Sequence, residues 1–566
     1  MSERVRVLCR RRRRRETGGE LTTLVARMQP RAALRVPALA VLVALVVLGA
    51  AQAAELTGTD RADRLVGTTG ADTIRGRGGH DRIEGRAGGD LLQGGPGRDA
   101  ILGQAGPDRV AVQADGARDT VACGLGLDVV NAEHHDVVAD DCEVVTRQLS
   151  RDPFTGVGQH ETQVEPDSAS FGSTIVAVFQ SGRIFAGGAE GTGWATSVDA
   201  GRTWRRGFLE RVDDRASDPV VAYDRLHRTW LIATLGVAAT GGGESSHLLV
   251  SRSADGLVWS RPAPAADDPA EDYDKEWLAC DTWTSSPFHG RCYLVYLDVQ
   301  SGEIRTRRSS DGGRTWSGPV AAPVPSPDYR GNGAYPVVRP DGGLLVFFSV
   351  YGSIDPAIDS IQLGRSLDGG ATFEMSRRVA SLFTEDIAGV RAPPFISADV
   401  DAGGTVYATW ADCRFSPECT ANSIVLARSR DGVSWTQPRL VPFGQAETAV
   451  DRFVPALAVD PATRAQGSLA VVAYSATQSH GCAGCQVVDA HLVRSGDGGT
   501  TWRAPVRLNA ESIPLGWVAD TGLGRMLADY VSMSYVGGRP VAVLSLATEP
   551  VAGELRQSIY ATTRAP

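Results

Sequence analysis

The sequence predicts an all-β chain in two parts: a short parallel β-roll, then a β-propeller of four-stranded blades. Three observations predict it. Aspartates recur every nine residues from Asp63 to Asp108, and an octapeptide built on Ser-x-Asp-x-Gly-x-Thr-Trp returns in six places after residue 190. The 65 glycines and 30 prolines accompany only 22% charged residues, a composition of turns rather than long helices.

Residues 1–54 read as a cleaved leader. Arg31 and Arg35 follow Met28, an apolar run covers residues 38–48, and small residues close the segment at 51–54. The run is too short to cross a bilayer, so no membrane span is expected. The arginines at 10–15 are read as an overlong basic region, or as lying upstream of a start at Met28, in preference to a nucleic-acid-binding arm. Eleven arginines against three glutamates give this leader +8, which leaves −17 on the rest of a chain whose net charge is −9. That surface excludes nucleic acid and anionic membranes as expected partners.

Beyond Cys9, eight cysteines fall in four close pairs: Cys123/Cys142, Cys280/Cys292, Cys413/Cys419 and Cys482/Cys485. Short-range pairing of an even number suits local disulfides in an oxidising compartment, so the chain reads as secreted and extracellular. Cys482 and Cys485 could instead form a redox or half-zinc motif, but no second ligand pair accompanies them.

The first domain is expected at 55–148. Asp63, Asp72, Asp81, Asp90, Asp99 and Asp108 are each followed two residues later by Leu65, Ile74, Ile83, Leu92, Ile101 or Val110. Glycines between them allow tight turns, the aliphatic residue points into a narrow core, and each carboxylate faces carbonyls of a neighbouring turn. Hard oxygen donors of that kind select Ca²⁺. The stretch resembles the hemolysin-type (RTX) calcium-binding repeat, which implies two nonapeptides per turn, three turns from six units, and calcium as cofactor on the six aspartates. Only Gly94-Gly95 keeps the doubled glycine, and Arg64, Arg75, Arg77, Arg82, Arg86, Arg98 and Arg109 bring positive charge near the sites. Residues 119–142 read as a disulfide-closed cap.

The second domain is expected at 152–566. The octapeptide runs Ser197, Asp199, Gly201, Thr203, Trp204, with further copies around Asp311, Asp368 and Asp497 and shorter ones around Asp255 and Asp431. Such a segment fits a hairpin turn in which aspartate accepts backbone N–H bonds and glycine supplies positive φ. These copies resemble the Asp boxes of the sialidase and BNR-repeat families, which implies a sialidase-like propeller. Apolar strand pairs between the boxes give seven blades by count, with six as the alternative, starting near residues 165, 218, 276, 335, 394, 454 and 529. The last blade lacks a box, and its outer strand is expected from residues 152–164.

Propeller ligands meet the channel mouth, at the entry to each innermost strand. Those positions offer Glu165, Asp218, the run Asp274-Lys275-Glu276, Tyr335, Arg391, Arg452 and Asp529-Tyr530. Resemblance to sialidases implies three arginines clamping a sugar carboxylate, a tyrosine nucleophile paired with a glutamate, and an aspartate acid. By position these are Arg391 and Arg452 with Arg525 as a third, Tyr530 or Tyr335, Glu165 or Glu276, and Asp218. The Phe/Tyr-Arg-Ile-Pro motif that carries the family's first arginine is absent. Lys275 is the only lysine among 57 basic residues and stands between two carboxylates, as a compact cation would in a binding site. The expected function is therefore a secreted propeller that acts on or binds an extracellular glycan or glycoprotein. An exo-α-sialidase and a non-catalytic interaction propeller are the alternatives.

Overall fold

The computed structural model describes residues 52–112, 115–241, 243–444, 450–463, 467–478 and 486–566. The leader's apolar run and the pair Cys482/Cys485 lie outside them. Among the described residues the helices are three single 3₁₀ turns, and none is long and apolar enough to cross a membrane.

The nine-residue period produces two parallel sheets, one on each side of the roll. Glu55–Thr57, Thr73–Arg75, Leu91–Gln93 and Arg109–Ala111 stack on one side, and Arg64–Val66, Arg82–Ala87 and Ala100–Ala105 on the other. One turn thus consumes two nonapeptides. Ile74, Ile83, Leu92, Ile101 and Val110 fill the core between them with no exposed surface. The roll is longer than the three turns expected. The supposed cap continues it: Val129–Ala132 and Val144–Gln148 extend the first sheet, and Thr120–Leu125 and Val137–Val138 the second. A disulfide joins Cys123 to Cys142 across these last turns.

Antiparallel blades follow among the described residues, each of four strands except the sixth, to which Ile513–Pro514 adds a fifth. The first six occupy 159–208, 215–266, 273–321, 332–381, 397–440 and 451–507. The seventh comprises Ser532–Val536, Arg539–Ala547 and Gln557–Arg564, and its fourth strand is Val144–Gln148. That strand covers most of the edge at 560–564, and of residues 152–164 only Thr162 contributes, through one parallel bridge to Gln557, so a domain boundary at 148 falls at the blade's own edge. Each innermost strand touches the next, and Ser532–Val536 touches Gln159–Phe171, which closes the ring.

The octapeptide turns link third to fourth strands. At Asp311, Oδ1 accepts Ser309 Oγ at 2.8 Å and Thr315 N at 3.0 Å, and Oδ2 accepts Thr315 Oγ1 at 2.6 Å. Neighbouring blades hold these turns as well: Arg308 donates to Gly370 O at 2.9 Å and Arg428 to Gly498 O at 2.9 Å. Two further disulfides, Cys280–Cys292 and Cys413–Cys419, lie within blades.

Candidate functional site

A repeated irregularity builds the channel mouth. The innermost strands of blades 1, 2, 3, 4 and 6 each carry a register shift, and at that point stand Glu165 (φ 52°), Asp218 (φ 47°), Lys275 (φ 50°), Gly333 (φ 64°) and Val454 (φ 49°). A bulge inserts one residue and re-aims its side chain. Positive φ in a residue other than glycine costs of order 1–3 kcal/mol and persists only where the surroundings enforce it. Three of these bulges direct ionisable side chains to one locus.

Lys275 Nζ donates there to Asp218 Oδ1 at 2.8 Å, Asp529 Oδ2 at 2.8 Å and Glu165 Oε1 at 3.1 Å, so carboxylates from blades 2, 7 and 1 share one ammonium from blade 3. Asp529 is also bound by Arg391, through Nε at 2.7 Å and through Nη2. The Arg391 backbone is fixed in turn by Arg525, whose carbonyl accepts Arg391 N at 2.9 Å. Gln180 donates to both Glu165 and Ser217, and Arg183 reaches Gly188 O at 2.6 Å. The rings of Phe395 and Tyr530 lie 5.7 Å from the ammonium on a cation–π contact. A cleft of about 730 Å³ opens above this cluster, and Tyr351, Phe395, Asp274 and Arg183 contribute to its wall.

Burial sets the electrostatics. It disfavours charge on Lys275, yet Asp218, Asp529 and Glu165 together hold the ammonium well above its ordinary value. Burial likewise opposes ionisation of Asp529, but Lys275 and the bonds from Arg391 keep its carboxyl below the usual range. For Glu165 burial wins and pushes the carboxyl up to about 8, since Lys275 is divided among three acids. Asp274 rises to about 6 through burial and the nearby Asp218 charge.

The structure gathers Glu165, Asp218, Asp274, Lys275, Arg391 and Asp529 in the cleft, and leaves Glu276, Tyr335, Arg452, Arg525 and Tyr530 outside its lining. Tyr530 lies beneath the cluster, edge-on to Trp277 at 4.9 Å, with its hydroxyl donating to Pro219 O at 3.4 Å. Burial raises it well above the ordinary phenol value, which opposes a phenolate nucleophile. Tyr335 lines a second cavity of about 660 Å³, as does Trp277. The Glu276 carboxyl is buried, without a hydrogen-bond partner, and raised well above its ordinary value by that burial. Arg452 is buried and reaches Phe443 O at 3.3 Å, while the Arg525 side chain bonds Val518 O at 3.1 Å. No three-arginine convergence forms from Arg391, Arg452 and Arg525. Of the pair Asp529-Tyr530 it is Asp529, and not the proposed nucleophile Tyr530, that reaches Lys275 and Arg391. Arg183 sits on a second strand, where no positional signal marks it.

The roll presents a different set of acids. Oδ1 of Asp81, Asp90, Asp99 and Asp108 each accepts the backbone N–H of the aspartate 18 residues earlier, at 2.7–2.9 Å. The ladders run on through Asp119, Asp128, Asp136 and Glu143. Oδ2 of Asp81, Asp90, Asp99, Asp108, Asp119 and Asp128 is buried without a partner. A Cβ on Gly76 would lie 2.4 Å from Asp81 Oδ2 and 2.3 Å from Gly94 O, so free carboxylate and carbonyl oxygens share a slot that only glycine leaves open. Arg64 and Arg82 pair with Glu84 on the surface and not with these aspartates. Burial pushes Asp90 and Asp99 up to about 6 and Asp108 up to about 7. Orphaned hard oxygens fit Ca²⁺. No group of three or more His, Cys, Asp or Glu side chains able to hold a metal occurs among the described residues, so a cation here would rely on backbone carbonyls as well.

Residues 57–92 and 76–110 match the family model of the RTX calcium-binding nonapeptide repeat (4 copies). No curated protein sequence matches the chain. Among solved structures the chain is similar to a sialidase of Streptococcus pneumoniae, NanB, at 12% identity and TM-score 0.40, covering 57% of this chain and 67% of that one. The leech intramolecular trans-sialidase gives the same four figures. An α-L-arabinofuranosidase of Fusarium graminearum, Arb93A, shows 14% identity and TM-score 0.40 over 62% of this chain and 97% of its own.

Proposed function

We propose that this is an exported, calcium-binding protein whose propeller cleft takes an uncharged or amino-bearing sugar of an extracellular glycan. The observation that carries the reading is the engagement of Arg391: both its Nε and Nη2 are committed to Asp529, so it presents no free fork to a substrate carboxylate. Acids dominate the locus, and carboxylates suit sugar hydroxyls and ammonium groups, while Phe395 and Tyr351 offer apolar faces to a pyranose. A sialic-acid clamp is correspondingly disfavoured.

In the roll, Asp81, Asp90, Asp99 and Asp108 would hold Ca²⁺ with glycine carbonyls of the adjacent turn. The ion would supply the positive charge that these buried oxygens lack. Three disulfides support an oxidising destination.

Glycan-array binding by the calcium-loaded chain tests the cleft. Retention of neutral or amino-sugar termini, lost in Phe395→Ala and Asp218→Asn, is expected. Retention confined to sialylated glycans would overturn the reading. A second reading, hydrolysis, is favoured by one observation: Glu165 keeps its proton to about 8 while Asp529 beside it stays ionised, the division of roles that a glycosidase acid and its charged partner need. Turnover of aryl glycosides that disappears in Glu165→Gln, with binding retained, would establish it.

A further inference from the structure

The seventh blade takes its outer strand from the roll. Val144–Gln148 pairs in parallel with Val129–Ala132 on one side and antiparallel with Gln557–Arg564 on the other. One face of the roll and blade 7 are therefore a single continuous sheet, running from Glu55–Thr57 to the innermost Ser532–Val536. The seam is packed as well as paired. Val129 and Val144 share an apolar core with Leu508, Ile513, Leu544 and Tyr560. Asn131 donates to Leu508 O at 2.8 Å and accepts Ala510 N at 2.5 Å. Arg564 donates to the carbonyls of Cys142 and Val138, each at 3.2 Å, and Gln93 to Glu511 at 2.8 Å.

Both ends of this sheet matter. At the roll end, the ladder Asp72, Asp90, Asp108, Asp128 finishes on Glu143, whose Oε2 accepts Asp128 N at 2.9 Å immediately before the shared strand. At the ring end, Asp529 precedes Ser532–Val536 by three residues and binds Lys275 and Arg391.

We infer that the roll is the clasp of the propeller: cation binding along the aspartate ladders stabilises the shared strand, and through it the closure of the ring and the order of the cleft. The inference rests on the calcium reading of the roll and is independent of what the cleft binds. In a solenoid, stability is the sum of turn energies and nearest-neighbour interfaces, so order imposed on one turn passes to the next. A ligand that binds only the ordered roll shifts every equilibrium tied to that order by the same factor. Loss of the last rung would leave Gln557–Arg564 as an open edge and withdraw Val129 and Val144 from the shared core.

Hydrogen exchange on the full chain, with calcium or with chelator, tests this. Calcium at roughly 100 times its Kd is expected to slow exchange in residues 100–132 and, with them, in 557–564 and 532–536, by up to about a hundredfold per coupled site. Protection gained in the roll while 557–564 stays unchanged would overturn the inference and leave the calcium reading standing. No calcium effect anywhere in the roll would remove the calcium reading and the inference with it. Asn131→Ala separates the route: it cuts two seam bonds and one bond to Thr146 of the shared strand, and touches no ladder carboxylate. It is expected to keep calcium protection at 64–111 and to weaken it at 557–564, and full protection of both segments would overturn the seam as the path.

Discussion

Two sets of buried carboxylates stand at opposite ends of one sheet, and they are solved in opposite ways. In the cleft, Glu165, Asp218 and Asp529 are at most 2% exposed, and the chain supplies its own cation, Lys275, at 2.8–3.1 Å from all three. In the roll, Asp90 and Asp108 are equally buried, yet each keeps one oxygen without a partner. A buried charge is tolerated when paired and hydrogen-bonded, and is costly otherwise. The cleft thus carries its own counter-charge, whereas the chain places no cationic side chain on these roll oxygens. The difference explains why one lysine persists in a chain that otherwise uses arginine. A compact ammonium can be shared by three acids from three blades, where a planar fork would commit to one.

The largest expected effect breaks the cleft's side of this comparison. Lys275→Met removes the common partner of three buried acids and should cost about 3–5 kcal/mol in denaturant unfolding, as single removal of a buried ionic partner does. A loss below about 1 kcal/mol would mean that the cluster is solvated and the contrast with the roll is false.

Next comes pH. Folded Glu165 holds its proton to about 8, whereas an ordinary glutamate releases it near 4.5. The unfolded chain therefore binds fewer protons between these values, and the stability contributed by Glu165 is complete below about 4.5 and lost as pH rises through about 8. Thermal midpoints should fall over that window. Glu165→Gln, which keeps the neutral shape, should flatten the fall, and an unchanged slope would assign it to other groups.

A smaller loss is expected in the roll. Gly97 sits at φ 131°, and a Cβ there would lie 1.5 Å from Gly79 O. Gly97→Ala should cost about 1–3 kcal/mol, read as a lower midpoint of the calcium-loaded protein. The neighbouring corner position tolerates Arg77 at φ 71° and Arg86 at φ 80°, so the demand comes from the close approach of the next turn rather than from handedness alone.

How far each region could be read from sequence follows the same division. The roll was legible while its interval stayed at nine. Beyond Asp108 the spacing lengthens to Asp119 and shortens again to Asp136 and Glu143, so the last turns passed for a cap although their strands continue both sheets. The shared strand was missed for that reason, and the ring's closing segment was placed at 152–164. In the propeller, the boxes and apolar strand pairs are legible because hairpin turns leave a fixed residue pattern. At the channel mouth the sequence reading reaches Glu165, Asp218 and Lys275, but it points to Tyr335 and Arg452 where Gly333 and Val454 hold the bulge. A bulge adds one residue to one strand and leaves no period behind, so the sequence does not mark which of two or three neighbouring positions it occupies.

The boxes supply a third kind of carboxylate, and with it the smallest effect. Asp311 lies at the rim, partly exposed, and its own turn satisfies it: Ser309, Arg314 and Thr315 all donate to it, and these bonds hold its carboxyl down at about 2 despite partial burial. It needs neither a lysine nor a metal. Asp311→Ala should therefore cost about 1 kcal/mol, the worth of a few partly solvated hydrogen bonds. The loss should be the same with calcium or chelator and should leave glycan retention unchanged. If the loss instead grew when calcium was withdrawn, the rim turns would be coupled to the clasp, and the ring would respond to the roll as one body rather than through its seventh blade.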